Sequence, residues 1–147
     1  MPFVSHAQKS KTKDNIGISL NYSGYSGLAG YINYETWTDK KNAYRFALRG
    51  NVVDHIGGEV GYRREILDFK RISILFGADL GMIHFRKNNK LLSSYNYYYL
   101  AAPFDFRLRI TDRFSINYTV GAGVRYETND DKFGLHLLGR FGLIIRL

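Results

Sequence analysis

Ion-pair chemistry is what the residue types of this chain are best equipped for. Eight arginines, Arg45, Arg49, Arg63, Arg107, Arg109, Arg125, Arg140 and Arg146, fall singly on alternate positions of extended stretches. Glu35, Glu59, Asp79 and Asp105 share that parity. An arginine fork takes a carboxylate bidentately and satisfies several acceptors at once. The candidate site is therefore a charge network of Arg45, Arg49, Glu59, Arg63, Asp79, Asp105, Arg107, Arg109, Arg125 and Arg140. Eight cations cannot all pair with four acids, so some are expected at the mouths of the fold or in contact with anions.

Catalytic chemistry has thinner support. The histidines are His6, His55, His84 and His136. A lipid hydrolase needs a serine in reach of a histidine held by a carboxylate. Asp54 and His55 could supply part of that, with Ser93 or Ser94 from the neighbouring long connector. The simpler reading, ordinary polar loop residues, is preferred. The chain has no cysteine, which excludes disulfides and thiolate metal sites. No metal-ligand spacing and no phosphate-cradling glycine motif opening a helix appears. No catalytic residue, cofactor or metal site is expected, and the chain reads as a non-enzyme.

The elements that must position these residues are strands. Alternate positions are apolar over long stretches: Ile16–Tyr22, Leu28–Tyr34, Tyr44–Val52, Ile56–Tyr62, Ile72–Met82, Leu100–Ile110, Phe114–Tyr126 and Phe133–Leu147. Their alternates carry Gly, Ser, Asn, Thr and Arg, and such a period of two is incompatible with helix. All nine lysines lie in the N-terminal segment or in polar connectors, none in a predicted strand. A soluble sheet would put Lys and Glu on its wet face. Here the polar face reads as enclosed and the apolar face as continuous enough to meet lipid. At 147 residues the chain is one domain. The expectation is all-β, an eight-stranded antiparallel up-and-down transmembrane β-barrel over residues 15–147.

Strands of this length, tilted, cross a bilayer core, and closure leaves no edge in lipid. The segments Thr38–Asn42, Leu67–Arg71 and Thr111–Arg113 are expected as periplasmic turns, and Ser23–Gly27, Arg86–Asn96 and Glu127–Lys132 as outer loops. Tyr22, Trp37, Tyr44, Tyr62, Tyr97, Tyr126, Phe133 and Phe141 sit near strand ends and suit interfacial girdles, with Trp37 on the inward parity. Eight strands leave an interior just wide enough for side chains, so the lumen reads as a salt-bridged plug; a narrow anion pathway is the second reading. Residues 1–14 read as a signal-peptide remnant or a disordered tail, with Ser5 and Ala7 at −3 and −1 of a cleavage before Gln8. The net charge of +8 does not form a compact basic stripe, which speaks against nucleic acid.

One segment resembles a known family. Tyr98-Tyr99-Leu100-Ala101-Ala102-Pro103-Phe104-Asp105-Phe106-Arg107-Leu108 is similar to a pattern of small Bacteroidetes outer-membrane barrels, the porin-like β-barrel domain family. Asp112-Arg113-Phe114, Gly121-Ala122-Gly123, and Phe133-Gly134-Leu135 with Gly139 and Gly142 extend the likeness to about residues 95–147. The chain departs from that family in ending on Leu147 rather than an aromatic residue, and in its short loops. The resemblance implies a Gram-negative outer-membrane location, export through a signal peptide and no shared catalytic residues. Expected partners are outer-membrane lipid and lipopolysaccharide, through Lys87 and Lys90 among others, and other envelope proteins. The rival readings are a soluble lipocalin-like barrel with its apolar face around a ligand, and a lipid-modifying barrel enzyme.

Overall fold

The computed structural model describes residues 14–23, 27–51, 55–86 and 95–147. Eight strands follow one another: β1 (Asp14–Ser23), β2 (Gly27–Trp37), β3 (Asn42–Gly50), β4 (His55–Phe69), β5 (Ile72–Phe85), β6 (Tyr95–Arg109), β7 (Phe114–Glu127) and β8 (Lys132–Arg146). Each pairs antiparallel with the next, and β8 pairs with β1 to close the barrel. The expected up-and-down eight-stranded barrel is thus the observed fold.

Closure is staggered. A row of paired residues runs from Ile16 through Tyr34, Phe46, Val60, Leu80, Leu100 and Val124 to Leu135. Ile16 itself pairs on its other side with Ile145, ten residues further along β8. Such a stagger forces the strands to tilt, by about 35–45° to the barrel axis. It also makes neighbouring hairpins end at different heights. β3 starts at Asn42, opposite Arg64, while β4 runs on to Phe69. A bulge between Glu65 and Leu67 shifts the register on that extension.

The β4–β5 connection is consequently shorter than the expected Leu67–Arg71 turn. Leu67 to Phe69 belong to the strand, and Lys70 with Arg71 makes a two-residue hairpin, Lys70 at φ 52°. Such loops demand a positive φ. In the β2–β3 turn the Asp39 carboxylate accepts from the amides of Lys41 (2.7 Å) and Asn42 (2.8 Å) and from Asn42 Nδ2 (2.6 Å). Hydrogen bonds led by that from Asn42 hold its pKa below the usual carboxylate range. The expected loop residues Asp54, Lys87, Lys90, Ser93 and Ser94, and residues 1–13 of the candidate signal segment, lie outside the described residues, while Asp14 opens β1.

Burial is inverted relative to a water-soluble barrel. Leu48, Leu80, Leu100, Leu135 and Phe141 stand exposed on the outer wall, while Arg63, Asp79, Asp105 and Glu35 inside are inaccessible. A lipocalin-like barrel would require the opposite arrangement. Most predicted girdle aromatics face outward, but Tyr97 is 1 % exposed and lies in the lumen. Its parity follows that of Tyr99 and Ala101 once β6 begins at Tyr95 rather than Leu100.

Inner-wall glycines accommodate the large lumenal side chains. The Tyr99 ring lies against Gly81 where a Cβ would stand, and Arg125 Nε comes within 2.7 Å of the corresponding point at Gly134. Gly81→Leu should displace that ring and cost about 1–3 kcal/mol. Gly30→Ala, whose new Cβ would meet only the Gly50 carbonyl at 3.6 Å, should be near neutral. Urea midpoints of the refolded barrel in detergent micelles distinguish the two.

Candidate functional site

The lumen contains one connected ion-pair network, contributed by six strands. At the turn end Glu35 on β2 takes Arg107 bidentately, from Nη1 at 2.7 Å and Nη2 at 2.6 Å. It also accepts from Arg45 Nη2, Asn15 Nδ2 and Trp37 Nε1, each at 3.0 Å. Asp105 on β6 is the hub. It accepts from Arg45, from Arg63 Nε at 3.1 Å, from Arg107 Nη2 at 3.3 Å and from Thr119 Oγ1 at 2.7 Å.

The chain of contacts continues toward the other end. Arg63 grips Asp79 on β5 bidentately, Nη1 at 2.5 Å and Nη2 at 2.8 Å. Asp79 in turn takes Arg140 Nη1 from β8 at 3.3 Å. Arg140 also pairs with Glu59 on β4, which accepts the hydroxyls of Tyr31 (2.7 Å) and Tyr99 (2.5 Å). The Arg140 guanidinium lies 4.3 Å above the Tyr31 ring, adding a cation–π contact.

This set balances. Arg45, Arg63, Arg107 and Arg140 face Glu35, Glu59, Asp79 and Asp105, four charges of each sign. All eight are less than a tenth exposed, so water has little access to them. The remaining predicted cations are placed differently. Arg109 is half-buried at the turn end, 4.0 Å from Asp68. Arg125 pairs with Glu127 at 2.8 Å toward the loop end and donates to the Leu135 carbonyl at 3.0 Å. Arg49 is buried and hydrogen-bonds to Tyr99. Arg146 is half-buried at the end of β8, so the four surplus cations are divided between the two ends and one buried tyrosine contact.

An aromatic layer closes the lumen on the loop side of Glu59. His136 stacks on Tyr99 (ring centroids 4.2 Å, interplanar 17°), and the Tyr97 hydroxyl lies 2.5 Å from its Nδ1. Ile83 and Leu138 fill in around these rings, and His55 meets the Phe85 ring at 5.2 Å. His55 thus belongs to the buried lumenal layer, 1 % exposed, rather than to an exposed loop. Its proposed catalytic companions Asp54, Ser93 and Ser94 lie outside the described residues. His84 faces the outer wall and contacts Asn96 Oδ1 at 2.9 Å. Among the described residues no group of three His, Asp or Glu could hold a metal.

Tyr31, Tyr97, Tyr99, Trp37, Asn15 and Thr119 complete the site and were absent from the predicted network. The inward parity of Tyr31, Trp37 and Thr119 is legible in the sequence; which carboxylate each serves is not, Trp37 bonding Glu35 on its own strand, Thr119 bonding Asp105 on the neighbouring strand and Tyr31 reaching Glu59 two strands away.

In sequence the chain matches no family model and no curated protein. Solved structures do resemble it. The N-terminal β-barrel domain of Pseudomonas aeruginosa OprF superposes with TM-score 0.76 at 7 % identity, over 95 % of this chain and 100 % of that one. A de novo designed transmembrane β-barrel gives 0.66 at 11 % identity, over 95 % and 98 %. Neisserial surface protein A (NspA) gives 0.51 at 10 % identity, over 92 % and 94 %. The fold is that of the small outer-membrane barrels. At these identities the likeness is one of fold alone.

Removing one member of a buried ion-pair network strands its partners' charge, which costs about 3–5 kcal/mol. Asp105→Asn should therefore lower the urea midpoint sharply, because three arginines lose one shared carboxylate. Asp68→Asn, at the exposed Arg109 pair, should shift it by less than about 1 kcal/mol.

Proposed function

We propose that this chain is an integral outer-membrane β-barrel protein, non-enzymatic, serving as a structural or interaction component of the envelope. The observation that carries this reading is the inversion of burial: exposed Leu, Ile, Phe and Tyr around all eight strands, with balanced ion pairs inside. In water such an outer wall would be a very large apolar patch of the kind monomeric soluble proteins avoid. In a bilayer it is the required surface, and the closed sheet satisfies its own backbone.

The filled lumen favours a rigid plug over an anion path. Each carboxylate of the plug is taken up by arginines and hydroxyls, which suits a structural role better than acid–base chemistry. An even strand count returns both ends of the barrel domain to one side, the periplasm by barrel convention. The Tyr98–Leu108 pattern of β6 keeps the small Bacteroidetes barrels as our reading of its kin, with lipid and lipopolysaccharide as the surfaces it meets.

Boiled and unboiled samples of the protein from detergent-extracted outer membranes test this directly on a gel. A mobility shift on boiling, with the protein in the outer-membrane fraction, is expected. A soluble protein that migrates identically in both states would refute it.

A further inference from the structure

The outer wall contains one charge that a purely apolar belt does not explain. Among the described strand residues, Arg64 is the one arginine or lysine on the outward parity, and it is exposed. It pairs across the sheet with Asn42 and Phe76, at the step where the short β2–β3 hairpin ends and the longer β4–β5 hairpin continues. Beyond it, toward the turn, Leu67, Phe69 and Ile72 are again exposed and apolar. No carboxylate among the described residues lies within ion-pair distance of it. The nearby Asp39 carboxylate is turned onto the amides of its own hairpin. Lys40 and Lys41 stand exposed beside it, and the Lys41 carbonyl accepts the Glu65 amide at 2.7 Å.

Above Arg64 the same strand forms the floor of a trough. The outward column of β4 reads Gly58, Val60, Tyr62, Arg64. Gly58 lies between the large side chains Leu48 and Met82, and Val60 between Phe46 and Leu80. These six residues line one apolar hollow in the wall. Tyr62 stands between this hollow and Arg64: its hydroxyl donates to Asn42 Oδ1 and its ring meets that of Tyr44, centroids 5.8 Å apart. From Gly58 to Arg64 is six residues, roughly 20 Å of strand at ~3.3 Å per residue. With a tilt of about 35–45° that spans about 15 Å of depth, half of a ~30 Å hydrocarbon core. An apolar hollow with a cation half a hydrocarbon core below it on the same strand fits one ligand chemistry.

The geometry points to a phospholipid site: an acyl chain lies along Gly58 and Val60, and Arg64, with Lys41 beside it, holds the lipid phosphate at the periplasmic leaflet. Asp39 acts on Arg64 through space without forming an ion pair, and an arginine on a lipid-facing wall is costly unless it reaches an anionic group, which lipid phosphate supplies. This inference rests on the membrane reading above.

The test is native mass spectrometry of the detergent-solubilised barrel with added palmitoyl-oleoyl phosphatidylglycerol, after the boiling shift has verified each variant as folded. Wild type should retain one lipid. Arg64→Gln should weaken retention about tenfold, the loss expected of one charge-assisted hydrogen-bonded contact. Gly58→Ile fills the trough where a new Cβ meets nothing closer than the Ala47 carbonyl at 3.8 Å, and should reduce retention as well. Arg113→Gln, in the β6–β7 turn, should leave it unchanged. Equal retention by wild type and Arg64→Gln overturns the site. So does a loss in Arg64→Gln with none in Gly58→Ile, which would mean an anion site indifferent to the acyl chain. A soluble protein without a boiling shift would instead remove the membrane reading itself.

Discussion

Neutralising buried charge without water is the constraint on which this structure depends. A sheet that shows apolar side chains to its surroundings on one face must enclose whatever the other face carries. Here that face carries guanidinium and carboxylate groups. An isolated buried ion is prohibitively costly, whereas a geometrically complete network can approach break-even. The network approaches that condition by sharing: Asp105 serves three arginines, Glu35 two, and Tyr31, Tyr99 and Thr119 hydroxyls donate to remaining acceptor sites, while Nε of Arg45, Arg107 and Arg140 stays without a hydrogen bond among the described residues.

Sharing links strands that are far apart in sequence. Arg140 on β8 reaches Glu59 on β4 and Asp79 on β5 across the lumen, and Arg107 on β6 reaches Glu35 on β2. The backbone ladder fixes each strand only to its neighbours; these contacts brace opposite walls. Arginine is suited to that work, because its five donors in a planar fork engage two or three acceptors from one anchoring point. The lumenal glycines and the tyrosine–histidine stack add to the packing of that interior. The wall outside can then be smooth except where the stagger leaves a step, and Arg64 stands at that step.

Strand parity carried much of the fold in the sequence. Period-two alternation assigns a face to each residue, so the enclosed positions of Arg45, Arg63, Asp79, Asp105, Arg107 and Arg140 were legible before any coordinates. Parity says nothing about register between strands or about height along the barrel. The division of Arg109, Arg125 and Arg49 from the balanced set depends on both, and so does the service of Glu59 by Tyr31 and Tyr99. Tyr97 reads as a girdle residue only when β6 is begun at Leu100; with β6 beginning at Tyr95 it takes the lumenal parity. The β4–β5 turn reads as longer than it is because a bulge hides three strand positions, Leu67 to Phe69, behind a break in alternation. The trough over Gly58 needed three strands in register, so its residues were visible in the sequence but their adjacency was not.

The direct test of inverted burial is residue-by-residue accessibility along β6 in lipid vesicles. The absence of cysteine makes single-cysteine spin labels from Tyr98 to Leu108 practicable. An inverted barrel predicts a period of two: labels at Tyr98, Leu100, Ala102, Phe104, Phe106 and Leu108 relax with oxygen dissolved in lipid and not with an aqueous nickel chelate. Labels at the intervening lumenal positions should respond weakly to both. Strong relaxation of the Leu100 and Phe104 labels by the aqueous chelate would contradict a lipid-facing apolar wall.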